Sequence, residues 1–186
     1  MSYQCLAQAV VHSLPYSIEA LRIEDIFLIK KWRNEQMDVL RQKSMLTDEG
    51  QKRYYSEVVQ PGFKEEQPKM ILFSYLRMGS CIGYGGLTNI DWEAGRAEIS
   101  FLVDTERTKD AQVYEDDFVA FLTLMKKVAF QDLHFNRLFT ETFDIRPAHI
   151  AVLEKCGFIR EGRMRKHARV GQYLVDSLIH GCLKEI

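Results

Sequence analysis

Between positions 160 and 169 the chain carries Arg160, Arg163, Arg165, Lys166 and Arg169, relieved only by Glu161. Guanidinium forks match phosphate oxygens in pairs, so this run suits a phosphorylated small molecule such as a nucleotide-linked sugar. A solvated strand pair is the plainer reading. Gly83, Gly85 and Gly86 crowd a second stretch. Glycine weakens a strand unless a ligand or another backbone comes close, so the cluster reads as a substrate wall or as a bulge. The histidines His12, His134, His149, His167 and His180 show no spacing of a ligand pair or a triad, and His149 reads as a helix-surface residue. Cys5, Cys81, Cys156 and Cys182 form no Cys-x-x-Cys or Cys/His pair. No metal site is expected, and buried thiols in a reducing cytoplasm are favoured over a disulfide framework.

The chain that must position these groups has 186 residues, the length of one domain, and 46% of them are hydrophobic. Such a supply of apolar side chains excludes compositional disorder. Lys and Arg number 25 against 26 Asp and Glu, a net charge of −1. That balance argues against a general nucleic-acid binder. The segment Ala7-Gln8-Ala9-Val10-Val11 is far shorter than the roughly 20 apolar residues that cross a bilayer, and no basic stretch precedes it. The expectation is a soluble cytoplasmic protein with neither a membrane nor a nucleic acid as partner.

Residues 1–15 read as a mobile arm or an extra strand, and residues 16–186 as a single domain. Tyr16 to Ile23 reads as a strand, and Glu24-Asp25 opens a helix carrying Ile26, Ile29 and Trp32 on one side. A second helix runs from a Thr47 cap to Val59, stopped by Pro61-Gly62. Strands follow over Met70–Leu76, Cys81–Thr88 and Arg96–Asp104. Phe118, Phe121, Leu122, Met125, Val128 and Ala129 keep the helical period closely. Leu138–Phe143 is then a strand, Pro147 opens a short helix ending at Gly157, and strands near 158–167 and 172–183 close the chain. The pattern is a mixed, mostly antiparallel sheet of about seven strands flanked by about four helices, with one βαβ crossover.

This order resembles the GNAT superfamily of acyl-CoA-dependent N-acetyltransferases. Three stretches carry the likeness. Leu21-Arg22-Ile23-Glu24-Asp25 with Trp32-Arg33-Asn34 is similar to the branch holding ribosomal-protein and amino-sugar acetyltransferases. Ile82-Gly83-Tyr84-Gly85-Gly86-Leu87 followed by Ala97-Glu98-Ile99-Ser100-Phe101 resembles the family's third and fourth strands. Ile150 to Phe158 resembles its fourth helix running into a Gly-Phe strand start.

The resemblance implies acetyl-CoA as co-substrate, a small-molecule amine as acceptor, and direct transfer in a ternary complex. It implies Glu98 as the base for the amine, and Tyr173 or Tyr84 as acid for the departing thiolate. The CoA arm would run along Leu102 and Val103, with its pyrophosphate at Arg107, Lys109, Asp110, Ala111 and Gln112 and with Arg146 nearby. The family's glycine-bearing pyrophosphate loop is glycine-free here: Asp110 and Gln112 stand at its glycine positions, and no glycine occurs from Thr105 to Phe130. A carboxylate at Asp110 repels a pyrophosphate unless it turns outward. Leu153 stands where many members carry a tyrosine. An amino sugar is the favoured acceptor. A protein N-terminal amine, or a binding module that has lost catalysis, are the alternatives. The N-terminal stretch and the last strand are edges through which a homodimer could form.

Overall fold

Ile71 to Leu76 is apolar at nearly every position, the pattern of a strand covered on both faces, and all six residues are buried. In the computed structural model, which describes residues 2–185, this strand lies inside a sheet, paired along both edges. Among the described residues the sheet has eight strands: β1 (Val10–Ser13), β2 (Tyr16–Ala20), β3 (Ile71–Arg77), β4 (Ser80–Asp91), β5 (Arg96–Val103), β6 (Arg137–Phe143), β7 (Ile159–Val170) and β8 (Tyr173–Leu183). Their spatial order is β1-β2-β3-β4-β5-β6-β8-β7. Four helices flank it: α1 (Ile26–Glu35), α2 (Asp48–Tyr54), α3 (Ala111–Lys126) and α4 (Pro147–Lys155). The mixed, mostly antiparallel sheet and its helices match the expected fold class. Among the described residues no helix is long and apolar enough to cross a membrane.

Residues 10–13 form an edge strand, and Tyr3 ahead of it is buried in the core. The hydroxyl of Tyr3 donates to the Leu72 carbonyl at 3.2 Å and accepts from the Leu72 N–H at 2.8 Å. Thr47 caps α2 by accepting from the Gly50 N–H at 3.0 Å. The helical chain then continues through a π stretch, Tyr55–Val59, to Gly62, so Pro61 sits inside its last turn. That widened stretch uses i→i+5 bonds, and proline's missing N–H is tolerated there. The end of α4 follows sequence logic: Phe158 N–H bonds the Leu153 carbonyl and Gly157 N–H the Glu154 carbonyl, both at 3.0 Å, with Gly157 at φ +80°.

The glycine cluster lies in β4, the centre of the sheet, and its neighbours explain it. A Cβ on Gly85 would stand 2.1 Å from the Ser100 carbonyl and 2.7 Å from the Phe121 ring. One on Gly86, at φ +151°, would meet the Ile71 carbonyl at 2.0 Å. The close approach comes from the adjoining strands and α3.

One junction is unlike the rest. β5 and β6 are the parallel pair among the described strands, joined through α3, and they pair only at Arg96↔Arg137, Ala97↔Leu138 and Glu98↔Phe139. Past Glu98 the strands part, and the edge of β5 from Ile99 onward has no strand beside it.

Candidate active site

Strands that diverge leave backbone and side chains facing a gap, and here the gap is a cleft of about 220 Å³. Ile99, Ser100 and Phe101 form one wall, and Thr140, Thr142 and Phe143 the other. Arg33, Arg41, Arg146 and His149 close its ends. It opens toward a basin of about 930 Å³ under the β7–β8 hairpin, which shares Leu40, Arg41, Glu141 and Phe143 with the cleft. On the other side it adjoins a groove holding Thr105, Thr108 and Tyr114, with Arg146 and His149 common to both.

Glu98 sits where the strands separate and is 3% exposed. A buried carboxylate needs partners, and the chain brings two. Arg41, from the segment between α1 and α2, donates to Oε1, and Asn89 Nδ2 donates to Oε2 at 2.5 Å. Asn89 has φ +46° and lies where β4 and β5 slip register between Thr88 and Asp91, so a bulge turns its amide onto Glu98. Arg41, half exposed, also reaches Glu141 Oε2 at 3.7 Å. The neighbouring Arg96 pairs with Asp91, and Arg22 with Asp25.

At the other end of the cleft, Tyr114 of α3 meets His149 of α4, hydroxyl to Nδ1 at 2.7 Å. Arg146 Nη2 donates to the same hydroxyl at 3.2 Å. His149 is buried rather than on the helix surface, because its ring stacks on Phe118 at 4.1 Å and Phe118 stacks on Phe101 at 4.5 Å. Burial, with help from the charge of Arg146 and from His180, holds its pKa well below the ordinary imidazole value.

The glycine-free loop closes on itself. Asp110 caps α3, its Oδ1 accepting from the Gln112 and Val113 N–H groups at 2.9 and 3.0 Å. Those are the donors a helix N-terminus would offer to an anion. Arg107 turns inward to make a forked pair with the buried Asp117 at 2.6 and 2.8 Å, which pushes its pKa up. Lys109 pairs with Glu106 at 2.7 Å, Ala111 is exposed at the helix start, and the Gln112 side chain bonds Asp116.

Of the sequence candidates, Arg146 lines the cleft, Glu98 lies behind its lining residue Arg41, and the others stand apart. Tyr84, on β4 behind β5, accepts a hydrogen bond from Arg33. Tyr173 is 68% exposed, at the start of β8. The side chains of Leu102 and Val103 are in the core, and the Val103 carbonyl accepts from Gln36 at 2.9 Å. Trp32 is core, whereas Arg33 lines the cleft and Asn34 holds Leu46. Arg41, Asn89, Glu141, Tyr114 and Thr140 went unnoticed in the sequence. Only Glu141 carries a signal, as the one acid in β6.

A family model described as an acetyltransferase (GNAT) domain matches residues 18–179. The chain thus belongs to the GNAT family and is by class an N-acetyltransferase. Among solved structures it is similar to a probable acetyltransferase at 21% identity and TM-score 0.73, covering 94% of this chain and 97% of that one. It is also similar to spermidine N-acetyltransferase from Vibrio cholerae in complex with CoA and spermine, at 15% identity and TM-score 0.76, covering 92% and 96%. A dodecameric structure of the latter enzyme aligns at TM-score 0.75, with 15% identity and 92% and 95% coverage. No curated protein matches the chain by sequence.

Proposed function

We propose that this chain moves an acetyl group from acetyl-CoA to a small primary amine that carries an anionic group, as a nucleotide-linked amino sugar does. The observation that carries the acceptor class is the charge of the basin beyond the cleft. Arg41, Lys43, His167 and Arg169 line it against Asp38 and Glu141, and Lys43 and Arg169 have no ion-pair partner among the described residues. Unpaired cations recognise phosphate or carboxylate and repel a polyamine. The spermine held by the Vibrio cholerae enzyme is therefore the negative control here.

The thioester arm of acetyl-CoA fits the cleft between β5 and β6, whose walls carry Ser100, Thr140 and Thr142 beside Phe101. The diphosphate does not fit the start of α3 as it stands, because Asp110 fills those donors. Arg146, which has no carboxylate partner among the described residues, is the cation left on that side. In the transfer, the neutral amine attacks the thioester carbonyl and its proton passes to Glu98, directly or through water. Both Glu98 oxygens are engaged at rest, and the acceptor's anion competes with them for Arg41. Burial of Glu98 keeps this proton transfer away from bulk water.

The test is thiol release from acetyl-CoA with a nucleotide-linked amino sugar, a peptide N-terminal amine and spermidine. Turnover on the anionic amine alone supports the reading, and a preference for spermidine overturns its acceptor class. A second reading, a GNAT-fold binding module without catalysis, is favoured by the self-capped α3. Calorimetry with acetyl-CoA and desulfo-CoA separates the two: no binding at millimolar ligand removes the transferase.

A further inference from the structure

His149 borders the cleft with one ring nitrogen already spoken for, and the donors around it fix its proton. Arg146 has only N–H groups to give, so the Tyr114 oxygen accepts from it. The Tyr114 hydroxyl is buried, and its proton has an acceptor only at His149 Nδ1, 2.7 Å away. An imidazole that accepts at Nδ1 and is neutral carries its proton on Nε2. The ring cannot swing away, because it is clamped against Phe118 at 4.1 Å with 20° between planes. Across the cleft, the Thr140 hydroxyl is buried and has no hydrogen-bond partner among the described residues. An oriented neutral N–H on a residue lining the cleft marks a place where a polar ligand group completes the bonding.

We propose that His149 donates a hydrogen bond from Nε2 to the sulfur of the thioester as it departs, with Tyr114 and Arg146 acting as positioning residues that hold its tautomer. This rests on acetyl-CoA occupying the cleft. The new bond is amine nitrogen to carbonyl carbon, the broken bond is carbon to sulfur, and the electron pair leaves on sulfur. The amine's proton goes to Glu98, and the thiolate takes its own proton from water after release. His149 keeps its proton throughout and supplies only the preorganised dipole. A neutral donor suits the task, since it stabilises the developing anion without first binding the ground state as an ion would.

The wild-type protein is measured first by nitrogen-15 NMR, which should show His149 as the Nε2–H tautomer and unprotonated through pH 6. An Nδ1–H tautomer overturns the proposal without any variant. His149→Phe keeps the stack on Phe118 and should lower kcat by about tenfold to a hundredfold. Desulfo-CoA affinity and the KM for the amine should stay within about threefold. His149→Gln, whose amide N–H replaces the donor, should recover most of the rate, and Tyr114→Phe should mix the tautomers and lower kcat in part. Unchanged kcat in a folded His149→Phe overturns the proposal while leaving the transferase intact. Failure of the wild type to bind acetyl-CoA removes both.

Discussion

At the scale of single residues, the proposed transfer turns on Glu98 and its partner Arg41. Glu98→Gln is expected to lower kcat by about a hundredfold. Retention of the wild-type rate across pH would remove Glu98 from the mechanism. Arg107 tests a different role. Asp117 is fully buried and depends on the Arg107 fork and on the Tyr16 hydroxyl at 3.0 Å. Losing the fork strands a buried carboxylate, so Arg107→Ala should cost about 3–5 kcal/mol in urea unfolding. His149 gives the pH dependence. Its folded pKa lies well below the unfolded value of about 6.5, so in that window the unfolded chain binds the extra proton. Its contribution is complete above about pH 6.5 and is lost as pH falls, with a slope of up to about 1.4 kcal/mol per pH unit that His149→Gln should remove. Glu98 was legible because strand period and neighbouring motif placed it. Arg107 misleads: it matches a loop pattern in sequence, yet the carboxylate it serves is a turn or more into the next helix. Nothing in residue type announces that choice, which burial of Asp117 decides.

At the scale of elements, the start of α3 is where sequence and structure agree on an oddity. The missing glycines were plain to read, but a repelling carboxylate turned out to be a cap, spending on itself the two N–H groups an anion would use. Asp110→Ala should lower stability by about 1 kcal/mol, whereas Asp110→Gly, at a position that tolerates glycine, should cost only a few tenths. If the carboxylate is what keeps a diphosphate away, Asp110→Gly should also tighten CoA several-fold by calorimetry; weakened binding would show that the loop is adapted as it is. In β4, Gly85→Ala forces a methyl against the Ser100 carbonyl and the Phe121 ring. Overpacking of this kind should cost more than about 2 kcal/mol and lower the melting temperature accordingly. Helix and strand extents were readable because period and punctuation agree over most of the chain. The course through Pro61 was not, since a π stretch obeys hydrogen-bond geometry that proline statistics do not encode.

At the scale of the whole molecule, the first residues are stitched to the interior. Tyr3 packs edge-on to Phe63 at 4.8 Å and to Phe73 at 6.0 Å, besides its two bonds to Leu72. Removing residues 1–15 should lower the melting temperature by more than about 5 °C, and Tyr3→Phe alone, by leaving the Leu72 N–H unpaired, should cost about 1–3 kcal/mol. A single aromatic ahead of a short strand has no periodicity to betray it, which is why the sequence leaves this stretch open. The parting of β5 from β6 has a consequence in time as well as space. Strands β1 to β5 lie between residues 10 and 103, and β6 to β8 between 137 and 183, so each half-sheet is one uninterrupted length of chain. As the polypeptide leaves the ribosome, the first half can complete its ladders while the second does not yet exist. Ser100 and Phe101 are in place early, but Glu141 and His149 are delivered late. A nascent chain halted between the halves holds Glu98 and Arg41 with nothing opposite them: the candidate cleft gains its second wall only once residues 140–149 have been made.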